Sequence, residues 1–177
     1  MARTGDVAVL DIGSQKISVL VVERPNNGIL SVKTISEVAY SGFMDSSWID
    51  GADTVRAIAE AIADAKDKYG SKIRKLYVGV PSEFCEVRLA SPSVEFPKTR
   101  RVAATDIDSL FDRGNPFKND MEIVLVNRSA NYYVIDNSKK VVEPLGLDAR
   151  EFKAYISYIA CRRALIEFLD KVLRDCG

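Results

Sequence analysis

The sequence predicts a mixed α/β fold with a smaller α+β module inserted into it. Three observations predict this class. Three consecutive strands lie near the N-terminus, a helix separates them from a fourth strand, and a second strand-helix-strand-strand run precedes a long strand and a final helix. The chain of 177 residues is long enough for one medium domain or two small ones. No low-complexity linker separates the parts, so we expect two interdigitated units.

The first three strands are expected to form an antiparallel meander. Residues 7–10 form a short apolar run typical of a central strand, and residues 16–22 are rich in β-branched side chains. In residues 25–28 (PNNG), proline presets φ and Asn-Gly tolerates a positive φ, which predicts a hairpin turn. Residues 29–38 then alternate as the third strand.

A helix is predicted over residues 50–69, where apolar residues recur at helical spacing. Either Asp50 or Asp53 can cap its N-terminus, and Gly70 can end it in a left-handed conformation. Residues 73–80 (IRKLYVGV) are the next strand, which a proline ends. Because a helix between two strands permits a parallel crossover, we expect this strand to join the first sheet in parallel.

Residues 84–150 are expected to form the inserted module. Residues 85–96 alternate as one strand, in which Pro92 marks an edge or a bulge. Residues 105–113 (TDIDSLFDR) place three apolar side chains on one face of a short helix. The remaining elements are two strand-like segments joined by a bend, residues 121–127 and 131–136, and a looser extended stretch, residues 141–147.

Residues 151–177 are expected to return to the sheet of residues 1–83. A strand is predicted over residues 152–160 and a helix over residues 161–176. The helix has a continuous apolar face, which favours packing on a core. Membrane binding is the weaker alternative, because acidic residues reduce the charge of its short cationic face.

The composition excludes several functional classes. With 25 basic and 25 acidic residues the formal net charge is zero, which argues against a nucleic acid as main partner. Three cysteines and no histidine make a disulfide scaffold, a zinc site and a histidine-activated nucleophile unexpected. Free thiols favour a reducing cytosol. We expect no secretory leader and no membrane-spanning segment, since no apolar run reaches the roughly 20 residues of a span.

The stretch LDIGSQK is the strongest candidate for chemistry. A strand ends in Asp11 and is followed by small or hydrogen-bonding residues, Gly13, Ser14 and Gln15, and then by Lys16. Converging N–H and hydroxyl donors without a bulky side chain are what a phosphate requires. Asp11 can hold a water of hydrated magnesium. The alternative is an ordinary hairpin turn in which Asp11 accepts from its own backbone; the string is not a Walker loop.

Four further segments accompany this motif in a recognisable order. After VAVLDIGSQKISVLV come YSGFMDSSWID, KLYVGVPSEF, VVEPLGL and a final helix ending in RDCG. Together they resemble the first half of an actin-like ATPase, and within that superfamily FtsA, the bacterial cell-division actin homologue. The resemblance implies an actin-like, ribonuclease H-like subdomain with a mixed sheet, into which a strand-helix-strand-strand (SHS-type) module is inserted.

The resemblance also implies a function. FtsA-like proteins bind ATP with magnesium between two halves, polymerise with neighbouring subunits at the inner membrane face of the division site, and engage FtsZ and other division proteins. Asp11 would then lie near the metal, through a water, and residues 13–16 would line the phosphates. We expect the 177 residues to be the N-terminal half of such a protein, in the cytoplasm. On that basis the chain carries one wall of the site, binds nucleotide weakly and is not an enzyme, with no catalytic residues.

A basic segment, residues 97–101 (PKTRR), is the second candidate site. Lys98, Arg100 and Arg101 can meet an acidic partner or a neighbouring subunit, although a solvated loop is the favoured interpretation of the segment. Two other functions stay open at this point. They are a nucleotide-dependent enzyme half of the sugar-kinase type and a pilus-assembly protein of the PilM type.

Overall fold

The computed structural model describes residues 6–23 and 29–177, so the predicted hairpin turn at residues 25–28 lies outside the described residues. The chain divides into two units. The first comprises the described residues up to Phe84 together with Glu167–Gly177, and the second comprises Cys85–Ile166. The second unit is thus one continuous segment, whereas the first is made of two segments.

The first unit is built on a four-stranded mixed sheet. Its elements in chain order are β1 (Asp6–Ile12), β2 (Lys16–Glu23), β3 (Ser31–Ala39), the short β4 (Phe43–Met44) and β5 (Ser47–Trp48), helix α1 (Gly51–Tyr69) and β6 (Leu76–Gly79). The sheet order is β3-β2-β1-β6; β1 to β3 pair antiparallel, and β6 pairs with β1 in parallel. The predicted meander and the predicted parallel crossover are both confirmed.

Helix α1 begins and ends where its capping residues predict. Asp50 has an extended backbone, and its carboxylate accepts from the N–H groups of Ala52 and Asp53 at 2.9 and 3.1 Å. Gly70 is left-handed at φ 65° and donates its N–H to Lys66. Of the two candidate N-caps, Asp50 is therefore the one used. The buried face of α1 consists of Thr54, Ala57, Ile58, Ala61, Ile62 and Ala65, and the helix packs on β2 and β3.

The β4–β5 hairpin was not predicted. Its two turn residues, Asp45 and Ser46, both have positive φ, 51° and 58°, as a two-residue type I′ turn requires. Sequence inspection misses this turn because it lacks the Asn-Gly or Asp-Gly signature. The hairpin brings Trp48 against Phe84 and Phe168, with ring centroids 4.8 and 5.6 Å away.

The second unit contains a second sheet and one helix. Its elements are β7 (Cys85–Ala90), β8 (Ser93–Arg101), helix α2 (Ala104–Gly114), β9 (Ile123–Ile135), β10 (Lys139–Val141) and β11 (Asp148–Arg162). The sheet order is β10-β9-β11-β7, and β8 also pairs with β11. The core includes Phe96, Leu110, Tyr133, Phe152, Ile156 and Tyr158.

The strands of the second unit differ from the predicted ones in three places. The single strand expected over residues 85–96 is two strands, β7 and β8. Both pair with β11, and the pairing is interrupted at Pro92, which lies between them. The solvated loop expected at residues 97–101 is the end of β8, paired with the start of β11. The two segments expected around residues 121–136 merge into β9, whose pairing with β11 is irregular at two points.

The return to the first unit lies later than predicted. The strand expected in the main sheet is β11, which pairs with β7, β8 and β9 of the second unit. Its inward side chains, such as Phe152 and Tyr158, are fully buried in that unit's core. The chain rejoins the first unit at Glu167, within helix α3 (Arg163–Asp175). Residues 151–166 therefore belong with the second unit and not with the sheet of residues 1–83.

Helix α3 buries much of its apolar face, as expected for core packing. Leu165, Leu169 and Val172 are at most 5% exposed. The Lys66 ammonium donates to the carbonyl oxygens of Cys176 and Gly177 at 2.7 Å, just beyond the end of the helix. Within the described part of the chain, no helix combines the length and the apolar character needed to cross a membrane.

Candidate phosphate-binding turn

The predicted phosphate motif is a tight turn between β1 and β2. Ile12 pairs with Ile17, and the N–H of Gly13 donates to the carbonyl of Lys16 at 3.0 Å. A Cβ on Gly13 would lie 3.0 Å from that carbonyl oxygen. Glycine at this position therefore lets the chain close the turn.

Tyr40, at the end of β3, holds the turn from the side. Its hydroxyl donates to the carbonyl of Gly13 at 2.7 Å, and its N–H donates to the carbonyl of Gln15 at 3.2 Å. Burial raises the pKa of Tyr40 to about 12, so the hydroxyl keeps its proton and remains a donor at neutral pH. Sequence reasoning missed Tyr40 because the pairing of β2 with β3 brings it to Gly13 from 27 residues away.

Gly42 packs against the same turn. Its φ is +87°, and a Cβ there would lie 2.1 Å from the carbonyl oxygen of Ser14. Both the conformation and the contact therefore require glycine. The segment YSGF was singled out by resemblance alone, and its physical role emerges only from this contact.

The carbonyls of Gly13, Gln15 and Lys16 accept these hydrogen bonds, whereas two backbone N–H donors of the turn remain unused within the described part of the chain. Among the described residues, the backbone N–H groups of Ser14 and Gln15 have no hydrogen-bond acceptor, and both residues are exposed. Two neighbouring N–H groups beside a small hydroxyl side chain form the kind of concavity that binds an anion. The turn is thus chemically suited to a phosphate.

Asp11 lies at the carboxyl ends of two parallel strands. It pairs with Gly79 at the end of β6, and a Cβ on Gly79 would lie 3.3 Å from the Asp11 carboxylate. Ligands of open α/β sheets bind outside this edge. The backbone bond that the hairpin-turn alternative gave to Asp11 is absent, and within residues 6–23 and 29–177 its exposed carboxylate has no hydrogen bond or ion pair.

Lys16 is engaged elsewhere. Its ammonium lies 2.5 Å from the carboxylate of Glu37 on β3, and the hydrogen bond from Lys16 lowers the pKa of Glu37. Ser18 also donates to Glu37, at 3.3 Å. The structure thus brings Asp11, Gly13, Ser14 and Gln15 to one edge, whereas the Lys16 charge is balanced by Glu37. Where the structure describes the chain, no three acidic, cysteine or histidine side chains are placed to hold a metal directly.

The basic segment lies on β8, and its three cations differ. Arg100 forms a two-pronged ion pair with Asp106, at 2.7 and 2.8 Å, and stacks over Phe96 at 3.7 Å. The Asp106 carboxylate also accepts from the N–H of Ala103 at the start of α2, at 2.9 Å. Arg100 is therefore part of the fold, while Lys98 and Arg101 are exposed.

This ion pair predicts an acid-sensitive contribution to stability. The hydrogen bond from Arg100 lowers the pKa of Asp106 below its ordinary 3.8. The contribution is complete above that value and is lost as the pH falls through the lower, folded pKa. In Arg100→Gln we expect a small loss of stability at pH 7, because the pair is partly exposed, and a smaller difference from the parent at pH 2.5. Urea unfolding at both pH values measures this; an equal effect of Arg101→Gln, the neighbouring exposed control, would contradict it.

Comparison with known proteins places this geometry in context. No protein-family model matches the chain. It is 28% identical over 168 residues to the cell division protein FtsA of Pseudomonas aeruginosa, and 29% identical over 171 residues to FtsA of Staphylococcus epidermidis. Each alignment covers 95% of this chain, but 40% and 36% of the relative. The predicted resemblance to FtsA is confirmed. The FtsA of Streptococcus pneumoniae is similar too, with 25% identity over 83% of this chain.

A solved structure, the PilM-PilN type IV pilus biogenesis complex, resembles this chain in fold. The TM-score is 0.60, and the match covers 97% of this chain and 44% of that one. At 15% identity the likeness shows a shared fold alone. Together with the mixed first sheet, the antiparallel second sheet and their helices, it confirms the α/β class. The chain spans about two fifths of the length of the FtsA relatives.

Proposed function

We propose that this chain is part of an FtsA-like cell-division scaffold. The similarity to FtsA proteins over 95% of the chain is the observation that supports this role most strongly. In the proposal, the first unit supplies one wall of an ATP site. The second unit, an SHS-type module, makes the contacts with neighbouring subunits and other division proteins, FtsZ among the partners of the longer protein. It would act in the cytoplasm, at the inner membrane face of the division site.

Partner capture tests the scaffold role. Immobilised chain, incubated with extract of the source organism, should enrich proteins of the division apparatus, identified by mass spectrometry. Lys98→Glu with Arg101→Glu is expected to reduce that enrichment several-fold without shifting the melting temperature, because both cations are exposed. Arg100 is left intact, since its ion pair is structural. Enrichment of pilus-assembly proteins instead would favour the PilM-type alternative.

The nucleotide site is proposed on the turn geometry. The N–H groups of Ser14 and Gln15 and the Ser14 hydroxyl would hold phosphate oxygens, and Asp11 would hold a water of magnesium. These groups fit the ligand, because they are exposed and have no acceptors or partners of their own among the described residues. Bound magnesium would neutralise phosphate charge. Lys16 would contribute only after leaving Glu37.

One wall predicts weak binding. A dissociation constant near 1 mM corresponds to about 4 kcal/mol, and we expect the chain alone to bind Mg-ATP at roughly that strength or more weakly, with no measurable hydrolysis. Gly13→Val should abolish what binding there is, because its side chain meets the Lys16 carbonyl and covers the turn. Gly51→Val is the control, since nothing lies within 4 Å of a Cβ there. Calorimetric titration of both variants is the measurement.

Two outcomes would count against this site. Micromolar binding by the 177 residues would contradict the one-wall proposal and favour a self-contained enzyme of the sugar-kinase type. Equal binding by the parent and Gly13→Val would remove the turn from the site, provided that circular dichroism shows both to be folded.

A further inference from the structure

Two cysteines of the second unit lie directly opposite each other. Cys85 is the first residue of β7, and Cys161 lies near the end of β11. The antiparallel register pairs these two residues with each other, and both are free thiols. They stand 76 positions apart in the chain, so the sequence does not reveal the pairing.

The spacing of such a pair suits a disulfide. Directly opposed residues of an antiparallel ladder have Cα atoms about 4.5 to 5.5 Å apart and side chains on the same face. A disulfide spans Cα separations of about 4.4 to 6.8 Å. The two thiols also interact electrostatically. Burial raises the pKa of Cys161, and the nearby Cys85 raises it further. Bridging them requires rotation of side chains and no rearrangement of strands.

The two sulfurs differ in access. Cys161 is 1% exposed, whereas Cys85 is half-buried. An oxidant therefore reaches Cys85 first, and Cys161 is held where it can attack the product. An accessible outer thiol beside an inner one that can resolve the mixed disulfide is the arrangement of a reversible dithiol. Because burial raises the pKa of Cys85 too, we expect the reaction to be faster at alkaline pH.

We propose that Cys85 and Cys161 form a dithiol site that a small disulfide, such as oxidised glutathione, converts to a cross-strand disulfide. The Cys85 thiolate attacks one sulfur of glutathione disulfide, forming a mixed disulfide and releasing one glutathione thiolate. The Cys161 thiolate then attacks the Cys85 sulfur, and the second glutathione leaves as its thiolate. Two protons are released from the protein thiols and taken up by the two glutathiones. Reduced glutathione reverses both steps.

The bridge would join the first strand of the second unit to its last. Because it closes a loop of nearly the whole unit, it restricts the unfolded chain strongly. We expect the melting temperature of the oxidised protein to rise by at least about 5 °C. The inference does not rest on the proposed function, since it concerns neither the phosphate turn nor a partner.

The test uses the full chain in buffers of oxidised and reduced glutathione. After remaining thiols are blocked, intact mass should show one blocked cysteine in place of three, and tryptic mapping should show a peptide linking Cys85 to Cys161. Cys176→Ser, the matched control in the other unit, should still form the bridge and lose the remaining blocked thiol. Cys85→Ser and Cys161→Ala should not form it.

Several results would overturn the proposal. Stable glutathione adducts on Cys85 without a bridge would mean that Cys161 cannot reach it. Disulfides that involve Cys176 would also overturn the proposal. So would disulfide-linked dimers of the chain on a non-reducing gel, if they formed in place of the internal bridge. Mapping of the parent protein decides the matter even if Cys161→Ala fails to fold.

Discussion

Replacing Gly42 by alanine is expected to destabilise the first unit by about 3 kcal/mol. Two effects add. An L-residue at φ +87° is strained, and the new Cβ would lie 2.1 Å from the carbonyl oxygen of Ser14. Because that oxygen belongs to the turn between β1 and β2, relief of the clash must displace the turn. Any nucleotide binding measured for the parent chain should be lost together with the stability.

A matched glycine separates the two effects. Gly70 has a similar left-handed φ of +65°, but nothing lies within 4 Å of its virtual Cβ. Gly70→Ala should therefore cost only the conformational term, about 1 kcal/mol. Chemical denaturation of both variants measures the difference. If Gly42→Ala and Gly70→Ala were equally stable, the packing of Gly42 on the turn would be of no consequence.

Phe152→Ala is expected to have the other large effect, about 3 to 5 kcal/mol. The Phe152 ring is fully buried in the core of the second unit and lies 5.9 Å from the ring of Phe96 on β8. It sits on β11, the strand that pairs with β7, β8 and β9. Phe152 itself pairs with β8 on one side and with β9 on the other, so its removal leaves a cavity where β11 holds two neighbouring strands.

Hydrogen exchange shows where this loss is felt. Amides of Cys85–Ile166 should exchange much faster in Phe152→Ala, while those of β1, β2 and α1 keep most of their protection. Tyr155→Ala is the control on the opposite face of the same strand, where Tyr155 stacks on Tyr132 and is only half-buried. Equal loss of protection in both units would mean that they unfold as one.

Local signals predicted local structure well. The ends of α1 follow from Asp50 and Gly70, because each cap is made by atoms within four residues of it. The assignment of β11 to a sheet failed for the opposite reason. Alternation in residues 152–160 shows that one face is buried, but it does not show against which core. Only the register with β7 and β9, which lie far away in sequence, settles that question.

The residues of the candidate site likewise fall into those that local sequence predicts and those that depend on strand pairing. Asp11, Gly13, Ser14 and Gln15 were found because they are consecutive and their types suit a phosphate. Tyr40 and Gly42 were not assigned a role, since their contacts with the turn depend on the pairing of β2 with β3. The Glu37 partner of Lys16 was hidden for the same reason. The hairpin of β1 and β2 fixes which residues form the turn. The neighbouring strand β3 determines which polar groups of that turn remain available to a ligand.

The central place of β11 also has a consequence for the order of synthesis. The first residues of β7 and β11 are about 60 residues apart, which the ribosome needs about 3 to 12 s to translate. Until β11 is made, β7, then β8 and finally β9 lack the strand with which they pair. Strand edges that wait unpaired are prone to association with other chains. Nascent copies of this chain are therefore most vulnerable to aggregation just before β11 emerges, and a chaperone that binds extended segments would have its greatest effect in that interval.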